Sequence, residues 1–124
     1  MSTIHKFTGN TQQFAFSWQD VTSTVSKDPA FEKHIVLGQV DGAPTFVIRY
    51  FQLPVGGASP LHQHPHEHGI IALHGTAQVR LKDAFETISA MDAIFVTGGD
   101  LHQIKNIGQE PFGFFCTVPT SGEY

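Results

Sequence analysis

From residue 31 onward the chain is a succession of short segments rich in β-branched and aromatic residues, each ended by Gly, Pro or Asp. No stretch of 11 or more residues carries apolar side chains at the helical period. Many short strands at even spacing predict an all-β protein, an antiparallel barrel or jelly roll. The segments are residues 34–40, 45–53, 61–64, 69–73, 76–81, 85–88, 93–96, 101–107 and 112–118.

The first 30 residues differ from the rest because they are polar and rich in Thr, Ser and Gln. Within them, Phe14, Phe16 and Trp18 alternate with smaller residues, which predicts a short strand with one aromatic face. A length of 124 residues suits one domain. We therefore predict a single barrel over residues 31–124, preceded by an N-terminal arm over residues 1–30.

Charge and composition exclude several classes of partner. A formal net charge of -4 gives no general attraction to nucleic acid or to an anionic membrane. No segment approaches the roughly 18 apolar residues that span a bilayer. The first ten residues contain no apolar run typical of a secretory signal, and the single cysteine, Cys116, cannot form an internal disulfide. We expect a soluble, cytoplasmic protein with a small molecule as its partner.

Histidine is the unusual residue: the chain has eight, and four of them lie between residues 62 and 68. Imidazole is the commonest side-chain ligand for first-row divalent metals. On a strand, His62 and His64 would point to the same face, and His68 would open the next strand after the turn at Pro65. This arrangement would suit a metal site, but H-x-H alone is a weak signal, and surface histidines would show the same pattern.

The wider spacing resembles the two sequence motifs of the cupin family. The first, G-x5-H-x-H-x3-E-x6-G, is matched at Gly56, His62, His64 and Gly75, with residue 68 at the position of its Glu. The second, G-x5-P-x-G-x2-H-x3-N, is matched at Gly99, His102 and Asn106, with Met91 and Thr97 replacing its first Gly and its Pro. The resemblance covers about residues 34–119 and implies the cupin double-stranded β-helix, a jelly-roll barrel.

Residue 68 is His where the family motif has Glu. With this difference, the sequence resembles a subgroup of small bacterial cupins whose manganese is held by four histidines. The resemblance implies that one divalent ion per chain is bound by His62, His64, His68 and His102. A site of three histidines, with His68 outside the ligand set, is the alternative. Mn or Fe is the functional metal that we expect, but a nitrogen-rich site also accepts Zn, Ni, Co or Cu. The resemblance further implies a homodimer in which the arm packs on the neighbouring barrel.

The open metal site and the resemblance together favour an oxidoreductase of dioxygenase type that acts on a small organic substrate. A non-catalytic metal-dependent binding or sensing protein is one alternative. A sugar or keto-acid isomerase is another, and its general base would have to be His66, His74 or Glu67. The strand and turn pattern predicts that His66 and His74 are exposed and that Glu67 points away from the metal. No residue is assigned a catalytic role.

Two further residues have open interpretations. Arg49 is either part of a surface salt bridge or a contact for an anionic substrate. Cys116 lies in an apolar segment, which favours a buried small hydrophobic residue over a redox-sensitive thiol near the metal.

Overall fold

A computed structural model describes residues 2–27 and 30–124 of the chain. The regular secondary structure of the described part is almost entirely β, as the sequence predicts, with three short 3-10 turns at Thr11–Gln13, Gln39–Asp41 and Thr120–Gly122. None of its helical turns is long and apolar enough to cross a membrane. The strands are β1 (Ser23–Lys27), β2 (Ala30–Leu37), β3 (Phe46–Leu53), β4 (His68–His74), β5 (Thr76–Leu81), β6 (Ala84–Ser89), β7 (Ala93–Val96), β8 (His102–Asn106) and β9 (Phe112–Pro119).

The strands form two antiparallel sheets. The larger has the order β1-β2-β3-β9-β4-β7, and the smaller has the order β6-β5-β8. Alternate side chains of both sheets point between them, which buries a continuous apolar core. The buried core consists of Val47, Leu53, Ile70, Ala72, Ala77, Val79, Ile88, Val96, Ile104, Phe112, Phe114, Cys116 and Val118.

Several local differences separate the predicted strands from the observed ones. Strand β1, within the residues assigned to the arm, is missing from the prediction, because its alternating Ser, Thr and Val read as polar. Strand β2 ends at Leu37 rather than residue 40, because Asp41 turns the chain by accepting the Gly38 N–H at 3.0 Å. Residues 61–64 are not a strand and contribute only an isolated bridge between His62 and His102.

The N-terminal arm folds back on the outer face of the larger sheet of its own barrel. Its two sides meet at the bridges Phe7–Trp18 and Asn10–Ala15. The Phe16 ring stacks on the Tyr50 ring at 4.7 Å between centroids, and the Tyr50 side chain is fully buried. The strand predicted around Phe14, Phe16 and Trp18 is not formed, because Thr11–Gln13 is a 3-10 turn and only isolated bridges follow it. The predicted aromatic face is nevertheless covered by the barrel's own outer face. Packing of the arm on a neighbouring barrel stays a prediction.

His74 is also on this outer face, under the arm. The pairing of β4 with β9 shifts register between Ala72 and His74, so His74 does not follow the alternation that begins at His68. Its Nε2 lies 2.7 Å from the Tyr50 hydroxyl, and the Phe16 ring lies 5.0 Å from its ring. The prediction of a solvent-exposed His74 is wrong, because the arm half-buries this side chain.

Candidate metal centre

Three histidines meet at one end of the space between the sheets. The ligand-capable atoms of His64, His68 and His102 all lie within 4.8 Å of one another. His68 is the first residue of β4 in the larger sheet, and His102 is the first residue of β8 in the smaller one. A cluster built from separate chain segments is what a metal site requires.

Backbone hydrogen bonds hold the segment that carries His64 against the smaller sheet. The His62 N–H donates to the His102 carbonyl at 3.0 Å, and the His102 N–H donates back at 2.8 Å. The Gly99 N–H then donates to the His64 carbonyl at 2.6 Å. The neighbouring Gly98 has no room for a side chain, because a Cβ there would collide with the Pro65 carbonyl. This close approach brings the histidine turn next to the start of β8.

His62 lies beside the three histidines but outside their group. Its ring is 4.9 Å from the ring of His64, its side chain is exposed, and it borders the same cavity. The structure thus brings together three of the four predicted ligands and leaves His62 as an adjacent fourth.

His66 is half-buried and borders the cavity, so the prediction that it is exposed is wrong. Its ring stacks on the His64 ring at 4.5 Å between centroids, with an interplanar angle of 9°. The C-terminal turn covers the other side, where a Cβ on Gly122 would lie 2.8 Å from His66 Cδ2. A contact between residues so far apart in sequence has no local signal. Glu67 is exposed, as predicted.

The hydrogen bonds of two histidines fit a metal ligand. His102 Nδ1 lies 2.9 Å from the Asp100 carbonyl, so it carries the proton and leaves Nε2 as the electron-pair donor. His68 Nε2 is buried and has no hydrogen-bond partner within the described chain. Because an unpaired buried nitrogen is costly, this atom calls for a ligand.

The protonation state of the cluster also fits. Burial lowers the pKa of His64 to about 4 and that of His68 to about 3, and the neighbouring basic side chains add to both effects. Partial desolvation at the cavity edge likewise lowers the pKa of His62, with a further contribution from His102. These imidazoles are therefore neutral at pH 7, which is the form that binds a metal. The residues present fit a divalent ion.

The histidines line one end of a cavity of ≈ 310 Å³. The opposite walls are apolar, and two basic side chains, Lys33 and Arg49, also line the space. None of the described residues that line it is Asp or Glu. Cavities of about 300 Å³ and above hold small organic ligands. The main apolar residues of the walls are Phe31, Phe51, Leu53, Ile70, Ile104 and Phe114.

Cys116 connects the histidines to Arg49. Its side chain is buried, as predicted, and its Sγ lies 3.3 Å from His68 Nδ1. Arg49 Nη2 donates to the same sulfur at 3.1 Å. Burial raises the pKa of the Cys116 thiol, although the nearby guanidinium acts in the opposite direction. The sulfur therefore stays a thiol at neutral pH, and it accepts the hydrogen bond from Arg49 while it contacts His68.

Comparisons with known proteins agree with this architecture. A curated relative, 1-methylthio-D-xylulose 5-phosphate methylsulfurylase from Rhodospirillum rubrum, is 32% identical over 71 residues, which are 57% of this chain and 46% of the relative. The chain thus spans about half the length of that protein.

Two solved structures are similar over most of the chain. A cupin-2 domain protein from Rhodospirillum rubrum has a TM-score of 0.76 at 25% identity, over 83% of this chain and 72% of the other. The polyketide cyclase RemF from Streptomyces resistomycificus has a TM-score of 0.73 at 26% identity, over 82% of this chain and 75% of the other. The model of the cupin domain matches residues 49–118. With its jelly-roll fold and its clustered histidines, this chain belongs to the cupin domain family.

Proposed function

We propose that the protein is a metal-dependent oxidoreductase of dioxygenase type that acts on a small organic substrate. The observation that carries the proposal is the cluster of three imidazoles at the polar end of an apolar cavity. His64, His68 and His102 would hold one divalent ion, with His62 as the fourth ligand. Mn or Fe would be the functional metal, and Zn, Ni, Co or Cu would bind to the same nitrogens.

A bound ion would supply Lewis acidity and one-electron redox chemistry. The protein's own residues would do the rest. The phenylalanine walls exclude water from the substrate, which strengthens electrostatic interactions inside the cavity. Cys116 and Asp100 orient His68 and His102 through their Nδ1 atoms.

The ligand set also explains the kind of substrate that fits. Neutral imidazoles leave the full charge of the ion on the site, whereas a Glu at residue 68 would remove one unit. Glu67 is exposed and does not border the cavity. A substrate that becomes anionic, such as an enolate, would balance this charge and would be easier to oxidise.

The names of two relatives are consistent with chemistry on small organic molecules, since one is a methylsulfurylase and the other a polyketide cyclase. Neither name implies dioxygen, and one observation favours a second candidate, a metal-dependent isomerase of a sugar or keto acid. His66 borders the cavity beside His64 and His68, where a proton acceptor would be needed. His74 is unsuitable for that role because it lies on the outer face of the sheet.

Oxygen uptake separates these functions. Apo-protein loaded with Mn(II) or Fe(II) is expected to consume dioxygen with small enolisable or unsaturated compounds, above the rate of the free ion. The His68→Glu variant is expected to keep its metal but to change the rate, because it changes charge more than geometry. If no compound supports uptake, the oxidoreductase proposal fails. Exchange of a proton next to a carbonyl, measured by NMR, would then favour the isomerase, and tight binding without either reaction would favour a binding protein.

A further inference from the structure

We infer that Arg49 binds an oxyanion of the substrate, so that the molecule taken up by the cavity is a small organic anion with an apolar body. This inference deepens the proposed function by naming the substrate class. Only the statement that the bound anion undergoes a reaction rests on the proposed function.

Arg49 is a buried cation with unused hydrogen-bond donors. Only 8% of the residue is exposed, and its side chain lines the cavity. The guanidinium has five N–H groups in a fixed fork. Nη1 donates to Glu123 at 3.2 Å and Nη2 donates to the Cys116 sulfur, which is a weak acceptor. Nε is buried and has no partner within the described chain. An Arg of this kind is suited to bind a carboxylate or phosphate.

The positive charges beside the cavity are not fully balanced by carboxylates. Glu123 pairs with both Arg49 and Lys33, at 3.2 Å and 2.7 Å. Two cations and one carboxylate leave one positive charge, and no acidic side chain lines the cavity among the described residues. Since a buried charge without a counter-ion is costly, an anionic ligand would stabilise this arrangement.

Arg49 already binds one carboxylate, that of Glu123. Glu123 follows the C-terminal turn Thr120–Gly122, and Gly122 itself borders the cavity. Its carboxylate already occupies one edge of the guanidinium, so it competes with an incoming oxyanion for Arg49 and for Lys33. Removal of this carboxylate is therefore expected to strengthen anion binding.

The surroundings of Arg49 define the rest of the ligand. The guanidinium carbon lies 4.9 Å from the centroid of the Phe51 ring, so the charge sits against an apolar wall. Cys116 separates Arg49 from His68 by two short contacts, 3.1 Å and 3.3 Å. An oxyanion on Arg49 therefore places its apolar body between the phenylalanines and beside the histidine cluster.

The test is calorimetric titration of the Zn(II)-loaded protein, which has no redox activity, with benzoate, phenyl phosphate and neutral benzamide. Wild-type protein is expected to bind an anion more tightly than benzamide, and the tighter of the two anions identifies the oxyanion. The Arg49→Gln variant is expected to lose about tenfold to a hundredfold in affinity for that anion, with benzamide unchanged. The Glu123→Gln variant is expected to bind the anion more tightly than wild type.

Arg80→Gln is the matched control, because Arg80 is the other arginine and lies on β5 outside the cavity. It is expected to bind every probe as wild type does. Circular dichroism and zinc content verify that each variant is folded and loaded. Anion affinity unchanged in a folded Arg49→Gln variant would overturn the inference, since the metal alone would then hold the anion. If that variant does not fold, an unchanged affinity in Glu123→Gln overturns it instead. Absence of oxygen uptake with the anion preference intact would refute the oxidoreductase and leave this inference standing.

Discussion

Removal of a single ligand should abolish most of the stabilisation that metal gives to the folded protein. An ion that binds only the folded state stabilises it by about 2.7 kcal/mol when its concentration is 100 times the dissociation constant. An unfolding entropy of about 2.1 cal/mol/K per residue gives about 260 cal/mol/K for 124 residues. The ratio of these quantities predicts that metal raises the wild-type Tm by about 10 °C.

Alanine at His64, His68 or His102 removes one of the three imidazoles that converge within 4.8 Å. Mutation of residues that support metal ligands typically weakens metal binding by roughly 10- to 100-fold, and loss of a ligand itself is expected to weaken it at least as much. At the same metal concentration a hundredfold weaker site contributes only about 0.4 kcal/mol, and the rise in Tm falls to about 1–2 °C. His62→Ala is expected to have a smaller effect, because His62 is exposed and lies outside the group of three.

Differential scanning fluorimetry with and without metal measures these shifts, and metal content by elemental analysis verifies them. His5→Ala is the control, because His5 lies in the arm and pairs with Asp41. It should change the Tm of both forms but keep the difference of about 10 °C. The reasoning is refuted if alanine at His64, His68 and His102 leaves the full shift, or if His5→Ala removes it.

Three further predictions concern stability and assembly. Met91 has φ 76 where the second cupin motif has Gly, and 75% of the residue is exposed. Met91→Gly should therefore stabilise the fold by about 0.5–1 kcal/mol in urea unfolding, and a loss of stability would contradict this. The hydrogen bond to Asp41 raises the pKa of His5 above 6.5. The pair should therefore stabilise arm docking fully below pH 6.5, and this stabilisation should be lost as pH rises through the folded pKa of His5. Trp18 fluorescence should report this release, and the same pH dependence in His5→Gln would disprove it. We also predict a homodimer that is weakened by deletion of residues 1–18, and light scattering that finds a monomer at micromolar concentration would exclude it.

Asp41, the partner of His5, affects stability with the opposite dependence on pH, because its pKa is lowered in the folded protein. Burial acts to raise its pKa, but hydrogen bonds from the Gly38 N–H and from His5 outweigh burial and lower it. The contribution of Asp41 to stability is therefore present above its unfolded pKa of 3.8 and is lost as pH falls through the lower folded value. Arm docking should be strongest between these two limits.

The sequence by itself determined the fold class and the histidine cluster. Alternation of apolar residues and closely spaced turn residues are local properties, so segments such as 93–96 coincide with an observed strand. The convergence of His68 and His102 follows from the motif spacing, since both residues open strands. Where the local pattern is continuous, the face on which a side chain lies can be predicted.

Only the tertiary structure decided the faces of His66 and His74 and the surroundings of Arg49. A register shift before His74 moves it to the outer face, where the arm covers it. Gly122 covers His66 from the far end of the chain, and Glu123 reaches Arg49 across 74 positions. A strand's alternation is a local property that one irregularity in pairing can reverse, and contacts between distant segments depend on how the sheets pack. The histidines could therefore be found by their spacing, whereas the contacts that surround Arg49 could not.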